Sequence, residues 1–358
     1  MKILVIIDDL MPGGTEQNLL SYMRHVDASF TIKIMTLFKG GGLERHFKEA
    51  GIAVDCVNLR WRRLPLAFIK AGKIIKEFAP DIVVCQRECA RALFPLYLRL
   101  LGVTSVLMCF ENPNMTRIPA SHFLVWLQVG CVTAFVTPSS STARSLRETY
   151  KRITQVEVIP NSVDAEKFAF GGAPGDGPKT RIISVGNLRE EKNQAEILKV
   201  ARSLKSSGVD FEISIVGEGH LRGMLEEQVK RHDLEREVRL LGKRDDVPAL
   251  LAASDLFLFT SKSEGFGVAI IEAMAAGLPC VVYDLPVLRE LDPHLCCIQV
   301  VPQNDTAAAV EAIMVFAGDA ERRRKVGAAS REQCLQCFSS EKIAKLWGDF
   351  YQRIAPGK

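Results

Sequence analysis

Two glutamates eight residues apart, Glu264 and Glu272, bracket a glycine-rich turn in the segment SEGFGVAIIEAMAAGLP, residues 263–279. The turn follows an apolar β-rich run, LFLF, and opens a helical stretch. Gly265 and Gly267 allow the backbone close to a ligand. The first amides of a helix starting near Val268 face outward at the positive end of its dipole. Such a start is an anion site suited to a diphosphate. Glu272 falls one turn into the helix, near the same mouth. A carboxylate there suits paired sugar hydroxyls, as in dinucleotide sites. The glycines alone would also fit a plain turn before a helix with two solvated glutamates. The Glu-x7-Glu spacing, the aromatic between the glycines and the AMAAGLPCV exit together favour a ligand.

Other chemistry-bearing residues offer less. Asp8-Asp9 and Asp245-Asp246 are adjacent pairs, read as a loop end and a helix start; no Asp-x-Asp dyad on a strand end points to a metal. Most of the ten cysteines lie in apolar contexts such as IVVC and LPCVV, where free Cys packs as a small hydrophobe. Cys334-x-x-Cys337 lacks the second pair that a zinc site needs, and reads as an accident of a helix surface. Met1-Lys2 runs straight into an apolar strand, so no secretory segment is expected and a reducing cytoplasm is the natural setting.

The elements that must position these residues alternate along the whole chain. Almost wholly apolar runs at 3–7, 31–36, 53–57, 82–84, 105–110, 134–136 and 156–159 read as parallel strands buried on both faces. Helical stretches such as 15–25, 65–78 and 139–150 lie between them, as in βαβ units. A Gly/Pro-rich break, GGAPGDGP at 171–178, interrupts the pattern. It restarts with strands at 182–185, 211–216, 238–241, 256–259, 280–282 and 297–301. Helices are expected at 194–205, 221–232, 247–253, 268–276, 307–317, 321–336 and 340–354. The run from His122 to Val136 is too short to span a membrane and reads as a buried helix followed by a strand. The 358 residues, 47% apolar and 25% charged, fit about two globular domains and exclude a disordered chain. The boundaries read as 1–165 for the first domain, 166–180 for a linker, 181–338 for the second domain and 339–358 for a final helix. With 7% aromatics and a net charge of +4, the chain makes a poor nucleic-acid binder, and no nucleic acid is expected as partner. Residues 1–170 carry +6 and the remainder −2, so the basic excess lies in the first half.

The 263–279 segment resembles the Glu-x7-Glu signature of the family 4 retaining glycosyltransferases, and other landmarks follow in the family's order. MPGGTEQ supplies Gly13, Gly14 and Glu16, which the resemblance implies as contacts of the nucleotide sugar; VIPNSVD at 158–164 has Ser162 where the family has Gly; SVGNLREEKNQ at 184–194 is similar to the phosphate-binding strand end. IVGEGHL, with Gly217, and LLGKRDDVPALLAASDLFLFTS, with Gly242 and Lys243, resemble the stretches that border the nucleotide. The resemblance spans the chain and is most specific over 180–280. It implies the α/β GT-B fold: two Rossmann-like, doubly wound parallel-sheet domains facing across a cleft, with the C-terminal helix crossing back to the first. It also implies a nucleotide-sugar donor on the second domain and an acceptor on the first. Glu272 would then hold the ribose and Glu264 the donor sugar, the amides of Phe266, Gly267 and Val268 would meet the diphosphate, and Lys192 would neutralise the same phosphates. No metal or other cofactor is implied. The reaction implied is transfer, with retention, from a nucleotide-diphosphate sugar, UDP favoured and GDP as alternative, to a hydroxyl of a glycan or lipid-linked acceptor in cell-envelope assembly. Pre-placed cations and amides would stabilise charge on the leaving phosphate.

Two positions depart from the family. Asn187 stands where the family has Arg, with Arg189 two residues later. Glu111, in CFENPN, stands where the family often carries a His near the donor sugar. A carboxylate there would bond sugar or acceptor, or balance an oxocarbenium-like transition state. Other readings stay open: a nucleotide-sugar epimerase or a phosphorylase on a similar scaffold, or an inactive nucleotide- or glycan-binding protein. The first would need a His near the sugar, and the second a pyridoxal-bearing Lys.

The cluster Arg60-Trp61-Arg62-Arg63 precedes a helix with Ala67, Phe68, Ala71, Ile74, Ile75 and Phe78 on one face and Lys70, Lys73 and Lys76 on the other, Leu66 and Ile69 among them. It fits both an ordinary crossover helix and a basic face adsorbed to anionic lipid, which would place the protein on the inner face of the membrane.

Overall fold

The computed structural model describes residues 1–111, 121–168 and 179–355. Most of the expected 166–180 linker, residues 169–178, lies outside the described residues. The chain forms two compact units: Met1–Ser162 with Ser340–Lys358, and Val163–Ser339.

The first unit holds strands β1 (Lys2–Ile7), β2 (Thr31–Thr36), β3 (Ala53–Cys56), β4 (Ile82–Gln86), β5 (Ser105–Cys109), β6 (Ala134–Thr137) and β7 (Val156–Val158). Among them run helices α1 (Gly14–Met23), α2 (Glu44–Glu49), α3 (Leu64–Phe78), α4 (Glu88–Leu93), α5 (Pro95–Leu100), α6 (Ser121–Gln128) and α7 (Ser140–Thr149). The second unit holds β8 (Thr180–Val185), β9 (Phe211–Val216), β10 (Val238–Gly242), β11 (Leu256–Phe259), β12 (Cys280–Tyr283) and β13 (Ile298–Val301). Its helices are α8 (Gln194–Ser206), α9 (Arg222–Arg231), α10 (Val247–Ala252), α11 (Val268–Ala275), α12 (Leu288–Leu291), α13 (Thr306–Ala317) and α14 (Ala320–Phe338). Helix α15 (Ser340–Ile354) returns to the first unit.

Both sheets are wholly parallel. Their orders, β3-β2-β1-β4-β5-β6-β7 and β10-β9-β8-β11-β12-β13, start from the same doubly wound pattern. Each order reverses direction once, between β1 and β4 in one sheet and between β8 and β11 in the other. The crevice beyond the carboxyl ends of those strands is where such sheets bind ligands. Alternate residues explain the apolar runs. Leu4 and Ile6 enter one core layer, while Ile3, Val5 and Ile7 enter the opposite one. Phe257 and Phe259 divide from Leu256 and Leu258 in the same way. Helix α15 belongs with α1: Trp347 stacks on Tyr22 at 5.4 Å between ring centroids, and the Ser340 and Ser21 hydroxyls lie 2.5 Å apart.

Two expectations need correction. The helix within His122–Val136 is not buried all round: Phe123 and Leu127 are 61% and 54% exposed, because only its Val125–Gln128 side meets α4 and α5. Cys334 is not a helix-surface residue either. It is fully buried where α14 crosses α11, and its Sγ lies 3.3 Å from the Ile271 carbonyl. The short helices α2, α4 and α5 were not singled out by periodicity, being too short to show one.

Candidate functional site

In the second unit the carboxyl ends of β8, β9 and β10 are edged by glycines. A Cβ on Gly217, whose φ is +144°, would sit 2.0 Å from the Gly186 carbonyl oxygen. The amide of Gly217 donates to the Gly242 carbonyl at 2.9 Å, and Gly242 itself has φ +72°. Glycine is required there because backbones meet where side chains would otherwise stand.

The residues after β8 are fastened to the residues after β11. Ser261 Oγ and the Lys262 amide both donate to the Glu191 carbonyl, at 2.9 and 2.8 Å. Thr260 Oγ1 bonds the carbonyls of Lys192 and Asn193 at 3.2 and 3.1 Å. These bonds bring Lys192 Nζ onto the Glu264 carboxylate in a direct hydrogen-bonded ion pair. The ammonium also lies 5.5 Å from the centre of the Phe259 ring. The pair therefore stands at the switch point of the second sheet, with the side chains of Lys192 and Glu264 only 23% and 11% exposed. Beside it, Gly267 (φ +90°) caps α11, and Phe266 turns its ring inward, edge-on to Phe338 at 5.6 Å. Only the backbone of Phe266 is left for a ligand. Glu272 lies one turn into α11. Burial pushes its carboxyl up to about 7, opposed by the charge of Lys167.

The remaining predicted residues of this unit stand around the edge. Asn187 is exposed, and its carbonyl accepts from Gln194 at 2.8 Å. Arg189 lies 4.0 Å from Glu191 and does not join the Lys192–Glu264 pair. Lys243 is exposed after β10.

The first unit gathers charge at its own switch point. Gly13 caps α1, and Gly14 begins it, with open space where a Cβ would be. A Cβ on Gly13 would lie 2.7 Å from Glu16 Oε2, so glycine lets that side chain fold back. Glu16 is buried, not presented outward. Its Oε1 has no hydrogen-bond partner and lies 3.5 Å from Arg87 Nε. Burial pushes this carboxyl up to about 7, although Arg87 pulls it down. Arg87, just after β4, has φ +72° and ψ 173°, a conformation that is essentially glycine's own. Its cost, of order 1–3 kcal/mol, is held in place by the surrounding contacts. One is the Asp8 carboxylate, which accepts the amides of Cys89 and Ala90 at 3.2 and 3.1 Å and so fixes α4.

Glu111 ends β5. Gln86 Nε2 donates to its Oε1 at 2.5 Å, and Arg91 Nη1 lies 3.6 Å from its Oε2. Arg91 is buried, with its guanidinium 4.2 Å from the Phe110 ring centre and Nη1 donating to the Cys109 carbonyl at 2.6 Å. Glu111 is therefore held by a neutral amide and a buried cation. Arg87, Arg91 and Gln86 were missed by sequence reading; the signal was the polar QR directly after a buried strand end. Ser162, where the related motif has glycine, is satisfied by Asn18, whose Oδ1 accepts both its amide (2.6 Å) and its hydroxyl (2.9 Å).

Two doubly wound units, each with charged side chains at its switch point, define a protein of the GT-B glycosyltransferase class. The chain belongs to glycosyltransferase family 4: the family model described as Glycosyl transferases group 1 matches residues 167–333, and that of Glycosyltransferase Family 4 matches residues 12–167. It is 31% identical to the EpsF protein of Bacillus subtilis (strain 168), over 99% of this chain and 94% of that one. It is 29% identical to UDP-Gal:alpha-D-GlcNAc-diphosphoundecaprenol alpha-1,3-galactosyltransferase of Escherichia coli, over 64% of each chain. Among solved structures, HepE of Anabaena in complex with UDP shares the fold, with a TM-score of 0.83 at 17% identity over 99% of this chain and 100% of that one. Among the described residues, no helix is long and apolar enough to cross a membrane.

Proposed function

We propose that the chain is a retaining glycosyltransferase of surface-polysaccharide assembly, working without a metal, that moves a sugar from a UDP-sugar to a hydroxyl of a lipid-linked glycan. The observation that carries this reading is the Lys192–Glu264 pair, held at the switch point beside the start of α11. The relatives add support: the E. coli enzyme is named for a UDP-galactose donor and a diphosphoundecaprenol acceptor, and HepE was crystallised with UDP and with UDP-glucose.

In this reading the donor's diphosphate meets the α11 amides and shares Lys192 with Glu264. The ammonium then faces the oxygen that gains charge as the sugar–phosphate bond breaks. Such stabilisation acts where charge develops and needs no further ordering at the moment of reaction. Glu264, partly released from its lysine, accepts hydroxyls of the donor sugar. Glu272 accepts the ribose hydroxyls. The departing phosphate takes the acceptor's proton on the face it leaves, which retains the anomeric configuration. Glu111, 3.6 Å from Arg91, belongs to the first unit, where the acceptor binds. GDP-sugars are the second choice of donor.

The test is donor hydrolysis over a panel of UDP-, GDP-, ADP- and dTDP-sugars in the presence of EDTA, with Glu272→Ala as control. Release from a UDP-sugar that the variant loses, yielding the sugar first as its original anomer, is the expected result. Release only on adding a divalent cation, or release of the inverted anomer, would overturn the metal-free or the retaining part.

A further inference from the structure

More than half of the large apolar side chains that stand exposed among the described residues belong to one stretch of the first unit, contributed by α3 and the turn before it, α5 and α6. On α3, Leu66 and Ile69 are 61% and 67% exposed, one turn apart, with Trp61 at 55% just before the helix. On α5, Leu96 and Leu100 are neighbours on one stripe, Leu100 at 76%. On α6, Phe123 and Trp126 stack at 6.1 Å and both are exposed.

The three helices are neighbours. Tyr97 of α5 donates its hydroxyl to the Phe68 carbonyl of α3 at 2.7 Å and meets the Phe68 ring edge-on at 4.9 Å. The Leu96 amide donates to Gln128 Oε1 of α6 at 3.0 Å. Each helix thus spends one face on its neighbours and the sheet and still shows a second apolar face to solvent. A soluble domain does not ordinarily expose so much apolar surface in one place without a use for it.

The charge around these residues is mostly of one sign. Between Asp55 and Glu77 the chain has no acidic residue and six cations, Arg60, Arg62, Arg63, Lys70, Lys73 and Lys76. All six are exposed. Among the described residues, only Lys73 of these has an acidic partner, Glu77 at 3.7 Å. Helices α5 and α6 contain no Asp or Glu. Arg152 adds a cation over the Trp126 ring at 4.7 Å.

We infer that α3, α5 and α6 form one membrane-docking face, which seats in the interface of a bilayer carrying anionic phospholipid, apolar side chains among the acyl chains and cations at the headgroups. A water-soluble protein partner of matching acidity would lack the depth of hydrocarbon that two tryptophans, a phenylalanine and four aliphatic side chains can enter. Tryptophan also favours the headgroup level. The inference is independent of which donor the enzyme uses.

The chain carries its own probe. Of its three tryptophans, Trp61 and Trp126 lie on this face, and Trp347 is buried against α1. The full chain is mixed with vesicles of phosphatidylcholine, with and without phosphatidylglycerol, in ordinary and brominated forms, and tryptophan emission is followed with co-sedimentation. Binding to the anionic vesicles alone, with emission shifted to the blue and quenched by bromine, is expected. Leu66→Ser/Leu100→Ser/Phe123→Ser changes only exposed positions and should weaken binding at least about tenfold, since each removes apolar area from the bilayer. Arg60→Glu/Arg62→Glu/Arg63→Glu should weaken it on the order of a hundredfold at low salt. Unchanged binding by the serine variant would reduce the face to a patch of charge and overturn the inference, as would no binding at all. A blue shift that grows with protein concentration without lipid, accompanied by dimer in sedimentation, would assign the face to a second copy and overturn it too.

Discussion

Glu16 should make the first unit less stable as pH rises through neutrality. Its carboxyl is pushed up to about 7 in the fold, by burial first, against an ordinary value of 4.5 in an unfolded chain. Between those values the folded state holds a proton that the unfolded state has released, so stability falls with rising pH. The stability this group gives is complete below about 4.5 and lost once pH passes about 7. At about 1.4 kcal/mol for each tenfold difference in proton affinity, the loss is about 3 kcal/mol. Arg87 already opposes the effect, and the nearby Glu111 and Asp9 charges add to it. Glu16→Gln keeps the shape and removes the titration. The readout is selective, because Trp61, Trp126 and Trp347 all belong to the first unit, while the second has no tryptophan. Urea unfolding followed by tryptophan emission at pH 5, 6, 7 and 8, at constant ionic strength, therefore reports the unit that contains Glu16. All other groups of the unit are common to both proteins and cancel in the difference. Wild type should lose about 2.5 kcal/mol more than Glu16→Gln between pH 5 and pH 8. Equal pH slopes for the two proteins would refute the assignment of a buried, half-paired carboxylate.

Other consequences can be checked one residue at a time. Glu272 carries another carboxyl raised to about 7, so if its ionised form accepts the ribose hydroxyls, UDP should bind roughly tenfold tighter at pH 8 than at pH 6. Calorimetric titration of Glu272→Gln should show that difference removed. Lys192→Met should lower donor turnover by about 10²–10³ if the ammonium stabilises the leaving phosphate. Adding Glu264→Gln should recover thermal stability lost through the stranded carboxylate, without recovering turnover, as a double-mutant cycle on both readouts would show. Asn18→Ala leaves the Ser162 amide and hydroxyl without their acceptor and should cost about 1–3 kcal/mol in the same fluorescence-detected unfolding. Gly217→Ala places a methyl 2.0 Å from the Gly186 carbonyl and should cost at least about 2 kcal/mol in calorimetric melting of the second unit.

Most of the fold was legible because parallel strands buried on both faces must be apolar at every position. Ile3–Ile7, Ile34 and Met35, and Leu256–Phe259 leave almost no polar residue to confuse the reading. What escaped was set by neighbours. An eight-residue apolar helix such as α6 looks the same in sequence whether it is covered or bare; coverage depends on α4 and α5, which are too short to show a period. The path through Arg87 was equally hidden. A positive φ with extended ψ is expected of glycine, and here an arginine adopts it because Asp8 fixes the amides that follow and Glu16 holds the side chain.

The site was legible in its parts and illegible in its pairings, and sheet topology is the reason. Lys192 and Glu264 are 72 residues apart, each beyond a strand end. Nothing local says that β8 and β11 are adjacent; the reversal of strand order puts them so. The same reversal in the first sheet sets β1 beside β4, and with them Glu16 beside Arg87. The two units answer this shared geometry differently. In the second, glycines let backbones meet, and a charge pair stays partly open to a ligand. In the first, a carboxylate is turned inward and kept from full ionisation, and a strained arginine holds it. A first-turn glutamate after two glycines fits either arrangement, so Glu16 read as a ligand contact. Its buried Oε1, without a hydrogen-bond donor and 3.5 Å from Arg87 Nε, also fits a group that positions Arg87. If so, Glu16→Gln should leave UDP affinity intact, because the UDP site proposed above lies in the second unit, and should alter acceptor KM through Arg87. A loss of UDP affinity in that variant, with acceptor KM unmoved, would return Glu16 to the nucleotide site.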